Sequence, residues 1–188
     1  MTGQCSPEVG AVLAGRDERC SAQIGMLYGG ICDGLPDRFL CQVSLNIPGY
    51  PKRLLHDEDA LRKGVSFFLC RYGRPPILEK LLLNGAGACW LGLFDGYPDA
   101  IYAKRAAVAA EEENPACRIF DMDIITLHGQ ISRSSLGFPQ RRCILCNAEA
   151  KECARSNTHS TEELRSVCAA LLHMCASNAL TEADKNRT

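Results

Sequence analysis

Apolar positions recur along this chain at helical spacing in some segments and at every second residue in others, and the switching between the two lays out its elements. Ser6-Pro7-Glu8 opens a helix: a hydroxyl cap, proline at the first helical position and an acid at the positive end of the dipole. That helix is predicted to run to about Leu27, and Gly29-Gly30 breaks it. Its charged run Arg16-Asp17-Glu18-Arg19, with Gln23 a turn further on, reads as a solvated face. Phe39 to Ile47 predicts a strand, ended by the turn Asn46-Ile47-Pro48-Gly49 with Pro51 and Lys52 beyond it. Asp57 to Tyr72 predicts a helix capped by Asp57, with Leu61, Val65, Phe68 and Leu69 at helical spacing. Ile77 to Leu83 is a short apolar segment, Asn84-Gly85-Ala86-Gly87 a turn, and Ala88 to Phe94 a further strand. Asp99 to Glu113 is Ala-rich and helical, and Asn114-Pro115 ends it. Glu111, Glu112 and Glu113 crowd its C-terminal end, where the dipole disfavours acids, and nothing local offsets them.

Cys117 to Ile125 reads as a strand, which His128-Gly129 turns into a short Gln130-Ile131-Ser132 strand. Ser132 to Arg155 is irregular and basic. A last helix starts at Ser160 with a capping box, Ser160-Thr161-Glu162-Glu163, and buries Leu164, Val167, Cys168, Leu171, Leu172 and Cys175. The tail after Thr181 is predicted to fray. These elements predict one domain over residues 1–188, of α/β or α+β class, with helices on a small mixed sheet and a C-terminal Cys-containing loop and helix.

Composition narrows the classes. The 188 residues are 46% hydrophobic and 23% charged, as in a folded globular chain. The net charge of -1 excludes a global basic field for nucleic acid, so a basic site must be local. The apolar runs are far shorter than a membrane span. Twelve cysteines are many. Residues 1–10 carry neither a basic nor an apolar leader region, so the expectation is a reduced, cytoplasmic protein. Cys20, Cys32, Cys41, Cys70, Cys89, Cys168 and Cys175 then serve as small apolar core residues.

Two constellations carry chemistry. Asp121 and Asp123 lie two apart on the predicted strand, so both project from one face. Like charges so close are costly to bury unless a metal or partner joins them, and a divalent cation carrying a phosphate is the commonest use of such a pair. Mg²⁺ is the expected ion. The second constellation is Cys143-Ile144-Leu145-Cys146 followed by Cys153 and His159, a Cys₃His set that suits a structural Zn²⁺ in residues 139–160. Redox chemistry at Cys143 and Cys146, or plain thiols, are the alternatives. Arg133, Arg141, Arg142, Lys151 and Arg155 surround it and suit an anionic substrate.

At this point the sequence resembles a family. The residues that carry the likeness are Arg118 to Ile124, Ile131-Ser132-Arg133, Leu136 to Cys146, Lys151 to Ser156 and His159-Ser160. Arg16 to Arg19 with Gln23, the Leu45 to Gly49 turn with Lys52, and Lys104 extend it upstream. Together they look like the apo-citrate lyase phosphoribosyl-dephospho-CoA transferases, also called citrate lyase holo-acyl-carrier-protein synthases. The resemblance implies a nucleotidyltransferase-like fold and a transfer of 2'-(5''-triphosphoribosyl)-3'-dephospho-CoA to a serine of the citrate lyase acyl carrier protein subunit, with release of diphosphate. It implies Asp121, Asp123 and Arg118 as catalytic residues. Arg16, Arg19, Asn46, Lys52, Lys104, Arg133, Arg141 and Arg142 become substrate-binding candidates, with one of the aspartates or His128 accepting the serine proton. The chain departs from the pattern at Cys117, where the family usually has Gly, and at Asn114 and Ala107, where it usually has His and Thr. The same chemistry on a malonate decarboxylase-type carrier is one alternative. A zinc-stapled, non-catalytic binding module is another.

Overall fold

The computed structural model describes residues 6–29, 37–96 and 98–177. Helix α1 spans Pro7–Tyr28, with the Ser6 side chain accepting from the Val9 amide as its cap. Strand β1 is Phe39–Leu45, helix α2 Asp57–Tyr72, and strands β2 and β3 are Leu78–Asn84 and Gly87–Phe94. Helix α3 (Ala100–Glu111) leads through a 3₁₀ turn, Pro115–Ile119, into β4 (Phe120–Thr126) and β5 (Gly129–Ile131). Helices α4 (Ala150–Ser156) and α5 (Thr161–Ala176) close the described chain.

The sheet order is β2-β3-β1-β4-β5, and every pairing is antiparallel. The sheet expected to be mixed is antiparallel, and of the two classes expected, α/β or α+β, the arrangement is α+β. The reason is topological. Each of α2 and α3 connects two strands that run the same way but leaves an opposed strand between them, β3 in one case and β1 in the other. β1-α2-β2-β3-α3-β4 is thus two interleaved split βαβ units, the ferredoxin-like arrangement.

The two faces of the sheet carry different cores. Phe39, Cys41 and Val43 of β1 point to one side and pack with Leu61 and Phe68 of α2, Ala103 and Ala107 of α3, and Cys168 and Leu172 of α5. Leu40 points the other way, where Leu91 and Leu93 of β3 meet Ala22, Met26 and Leu27 of α1. Tyr72, Phe39, Phe68 and Phe94 form the aromatic centre of the larger core.

Three local readings change. Asp57 does not cap α2 from outside. It is the first residue of the helix, and its carboxylate accepts from the Leu54 amide and from Arg53. Cys117 to Ile119 is 3₁₀ turn rather than strand, because the Asn114 side chain accepts from the Ala116 and Cys117 amides and Pro115 sets the first turn. Of the cysteines read as core, Cys41, Cys89, Cys168 and Cys175 are buried, whereas Cys20 and Cys70 are exposed on helix surfaces. Cys32 and the tail after Thr181 lie outside the described residues.

Candidate active site

β4 alternates as its pattern predicts: Phe120, Met122 and Ile124 are buried in the larger core, and Asp121 and Asp123 emerge on the opposite face. Across the ladder Asp121 stands opposite Ser44 and Asp123 opposite Gln42. Asp121 Oδ1 accepts from Arg141 at 2.5 Å, and Asp123 Oδ1 accepts from the Gln130 side-chain Nε2 at 2.5 Å. Burial pushes the Asp123 acid up to about 6, and the nearby Asp121 and Glu111 carboxylates push the same way against Lys104 and Arg141. The pair is therefore one carboxylate paired with arginine and one whose charged form burial disfavours.

The outer edge of β4 at Phe120–Met122 is closed by side chains instead of a strand. Glu111 accepts from the Met122 amide at 2.7 Å, Lys104 Nζ donates to the Met122 carbonyl at 2.9 Å, and Arg141 donates to the Phe120 carbonyl. Glu111 also pairs with Arg133, whose other nitrogen reaches Glu112 at 2.7 Å, while Glu113 pairs with Arg71. These contacts account for the acids at the wrong end of α3. Glu111 is the residue sequence reasoning missed, and its misplaced charge was the signal. Lys104 and Glu111 are only 4% exposed each, so both are structural parts of the site wall.

A cavity of about 430 Å³ opens over the pair, walled also by Asn46, Lys104, Arg133, Arg141 and Lys151. A second cleft of about 400 Å³ shares Arg133 and Arg141 with it and adds Arg118 and Arg142. Arg118 donates to the Cys143 carbonyl at 3.5 Å and Arg142 to the Asn147 carbonyl at 2.9 Å. Arg16, Arg19 and Lys52 are not among the residues lining either cleft. Arg19 donates to the Ala86 carbonyl at 3.3 Å, and its Nε is the one buried side-chain polar atom without a hydrogen-bond partner among the described residues. Helix α1, which bears Arg19, packs on the smaller core, on the side of the sheet from which Asp121 and Asp123 emerge. Lys52 Nζ donates to the Ile47 carbonyl at 2.6 Å; burial lowers its pKa, and the positive charges of Arg16 and Arg165 lower it further. His128 sits at the β4–β5 turn and lines a different cleft, with Asp37 and Thr126.

Cys143, Cys146, Cys153 and His159 come together beyond Arg141, with their ligand atoms all within 4.8 Å of one another. Cys146 Sγ is 3.5 Å from Cys153 Sγ and 3.3 Å from His159 Nε2.

An antiparallel sheet that presents paired carboxylates beside arginines and a lysine in an open cleft is an arrangement with the chemistry to hold an anionic group. The family model for apo-citrate lyase phosphoribosyl-dephospho-CoA transferase matches residues 8–175. A probable apo-citrate lyase phosphoribosyl-dephospho-CoA transferase of Streptococcus pyogenes serotype M18 is 31% identical over 169 residues, covering 86% of this chain and 83% of its own. A protein of the same description from Vibrio cholerae serotype O1 (strain M66-2) is 40% identical over 129 residues, covering 66% of this chain and 72% of its own. The chain belongs to the apo-citrate lyase phosphoribosyl-dephospho-CoA transferase family. No described helix is long and apolar enough to cross a membrane.

Proposed function

We propose that this chain transfers the 2'-(5''-triphosphoribosyl)-3'-dephospho-CoA group to a serine of the citrate lyase acyl carrier protein subunit. The observation that carries the reading is the Asp121–Asp123 pair on one face of β4, in a cleft that also holds Arg133, Arg141 and Lys151. In the reaction the serine oxygen attacks the α-phosphorus of the triphosphate. The bond from that phosphorus to the bridging oxygen breaks, diphosphate leaves, and a phosphodiester joins the carrier to the prosthetic group. The serine proton passes to a base; of the candidates, Asp121 and Asp123 line the cleft and His128 does not.

Two carboxylates side by side, one of them raised by burial and by its neighbour, form a donor set that a hard cation fits. Mg²⁺ held by Asp121 and Asp123 would offset the charge that builds on the departing diphosphate. The rest falls to the chain's own groups. Arg141, anchored on Asp121 and on the Phe120 carbonyl, presents its guanidinium to phosphate oxygens. Arg118, Arg133 and Arg142 line the adjoining cleft, where the triphosphate charge would extend. Arg19, with its unpartnered Nε, and Arg16 and Lys52 supply positive charge on the α1 side for more distant parts of the donor. Arg142, Lys151 and Arg155 are exposed and offer an acidic carrier protein a docking surface.

The test is a transfer assay with purified apo-carrier, the triphosphoribosyl donor and Mg²⁺, read by intact mass of the carrier. Asp121→Asn is expected to lower the rate at least roughly 100-fold, about 2.7 kcal/mol of barrier. Near-normal transfer by that variant overturns the role given to the pair. A malonate decarboxylase-type carrier run in parallel reports carrier choice.

A further inference from the structure

Between residues 132 and 160, Cys143 and Cys153 are the only buried residues. The segment contains one short 3₁₀ turn, one seven-residue helix and a single isolated bridge between Arg142 and Glu149. It has no apolar core of its own, yet it holds Arg141 on Asp121 and the Phe120 carbonyl and positions Arg118 through the Cys143 carbonyl. Ile144 is its one side chain packed against the larger core, so hydrophobic burial does little to fix it, and its two buried side chains are both thiols of one four-residue cluster.

The geometry of that cluster says what does. Ligand sulfurs bound to one tetrahedral zinc at about 2.3 Å lie about 3.8 Å apart. The Cys146–Cys153 separation of 3.5 Å and the His159–Cys146 separation of 3.3 Å are close to that edge length, and all four ligand atoms fall within 4.8 Å. The four residues arrive from different pieces of backbone: Cys143 and Cys146 from the loop, Cys153 from α4, and His159 from the connection just before α5. One centre would therefore tie the loop, α4 and the start of α5 together. α5 is itself anchored on the β1–α2 turn, where Arg165 donates to the Pro48 and Pro51 carbonyls.

We infer that Cys143, Cys146, Cys153 and His159 bind one structural zinc ion that staples residues 132–160 and so sets Arg141 and Arg118 at the aspartate pair. The ligand set is closed, with three thiolates and one imidazole, so it leaves no open position for substrate. The metal-ligand bonds take the place of a core, as in small zinc modules.

Elemental analysis of protein purified without chelator is expected to give about one zinc per chain. Cys146→Ser and His159→Ala are each expected to lose it, while Cys70→Ser, an exposed thiol on α2, keeps it. Cobalt substitution is expected to show a thiolate-to-metal charge-transfer band and the visible bands of a tetrahedral site. Stripping the zinc from the wild-type protein is expected to expose residues 137–160 to limited proteolysis while the sheet stays intact, with protection restored on adding zinc. Wild-type protein that is metal-free yet equally protected overturns the inference, whether its thiols titrate as free or as a disulfide. So does zinc that survives in both ligand variants. None of these readouts depends on transfer activity, so they stand or fall apart from the proposed reaction.

Discussion

At the residue scale, the strand alternation that put Asp121 and Asp123 on one face was legible in the sequence, because the period of two is a local property of the backbone. Their partners were not. Glu111 looked misplaced, since the groups it serves lie 11 and 22 residues further on, at Met122 and Arg133. Truncating it tests that assignment: Glu111→Ala leaves the Met122 amide without its acceptor and the nearly buried Arg133 with only its exposed Glu112 partner, with an expected loss of about 3–5 kcal/mol by chemical denaturation. Glu112→Ala removes only the exposed half of the same arginine's pairing and should cost less than about 1 kcal/mol. Asp123 gives a pH signature. Its acid rises from 3.8 to about 6 on folding, so in metal-free protein the proton is held more tightly by the fold than by the unfolded chain. The stability this adds is full below pH 3.8 and is lost as pH rises through 6. Thermal melts in chelator should therefore show Asp123→Asn gaining on the wild type between pH 4 and pH 7, by an amount on the order of 2 kcal/mol. A difference that stays flat with pH removes the claim that burial disfavours the charged form of Asp123.

At the element scale, helices announced themselves well, since caps and apolar spacing are local signals; the capping box at Ser160 is present as read. β4 began three residues later than the apolar run at Cys117 suggested, because Asn114 and Pro115 govern the backbone there. Helix α1 carries a contrast that its sequence hides. Gly10, Gly15 and Gly25 look alike in a helix that would rather have alanine. A methyl group at Gly10 or Gly25 would meet nothing within 4 Å, but at Gly15 it would lie 2.5 Å from Asn84 Oδ1 and 2.6 Å from the Ala86 nitrogen. Gly10→Ala and Gly25→Ala are accordingly expected to stabilise by about 0.5–1 kcal/mol each. Gly15→Ala is expected to destabilise by about 1–3 kcal/mol, since it lifts α1 from the β2–β3 turn. Paired urea titrations of the three variants check this. Gly15 thus fixes how closely Arg16 and Arg19 approach the sheet.

At the scale of the whole molecule, strand order could not be read from the chain, because pairing is set by contacts between distant segments. β1 sits between β3 and β4, although 41 residues separate its end from the start of β3. That placement makes β4 nearly an edge strand, since β5 covers only Ile124 to Thr126. The remaining stretch, the one that bears the aspartates, is finished by Glu111, Lys104 and Arg141. Such an edge offers no free ladder to a passing strand, so it resists edge-to-edge aggregation without a covering element. It also gives the site a private spectroscopic label. The Met122 amide proton is bound by a side-chain carboxylate rather than a peptide carbonyl, so its magnetic resonance signal is expected well downfield of its neighbours, and its exchange with solvent is expected to follow the Glu111–Arg133 pair.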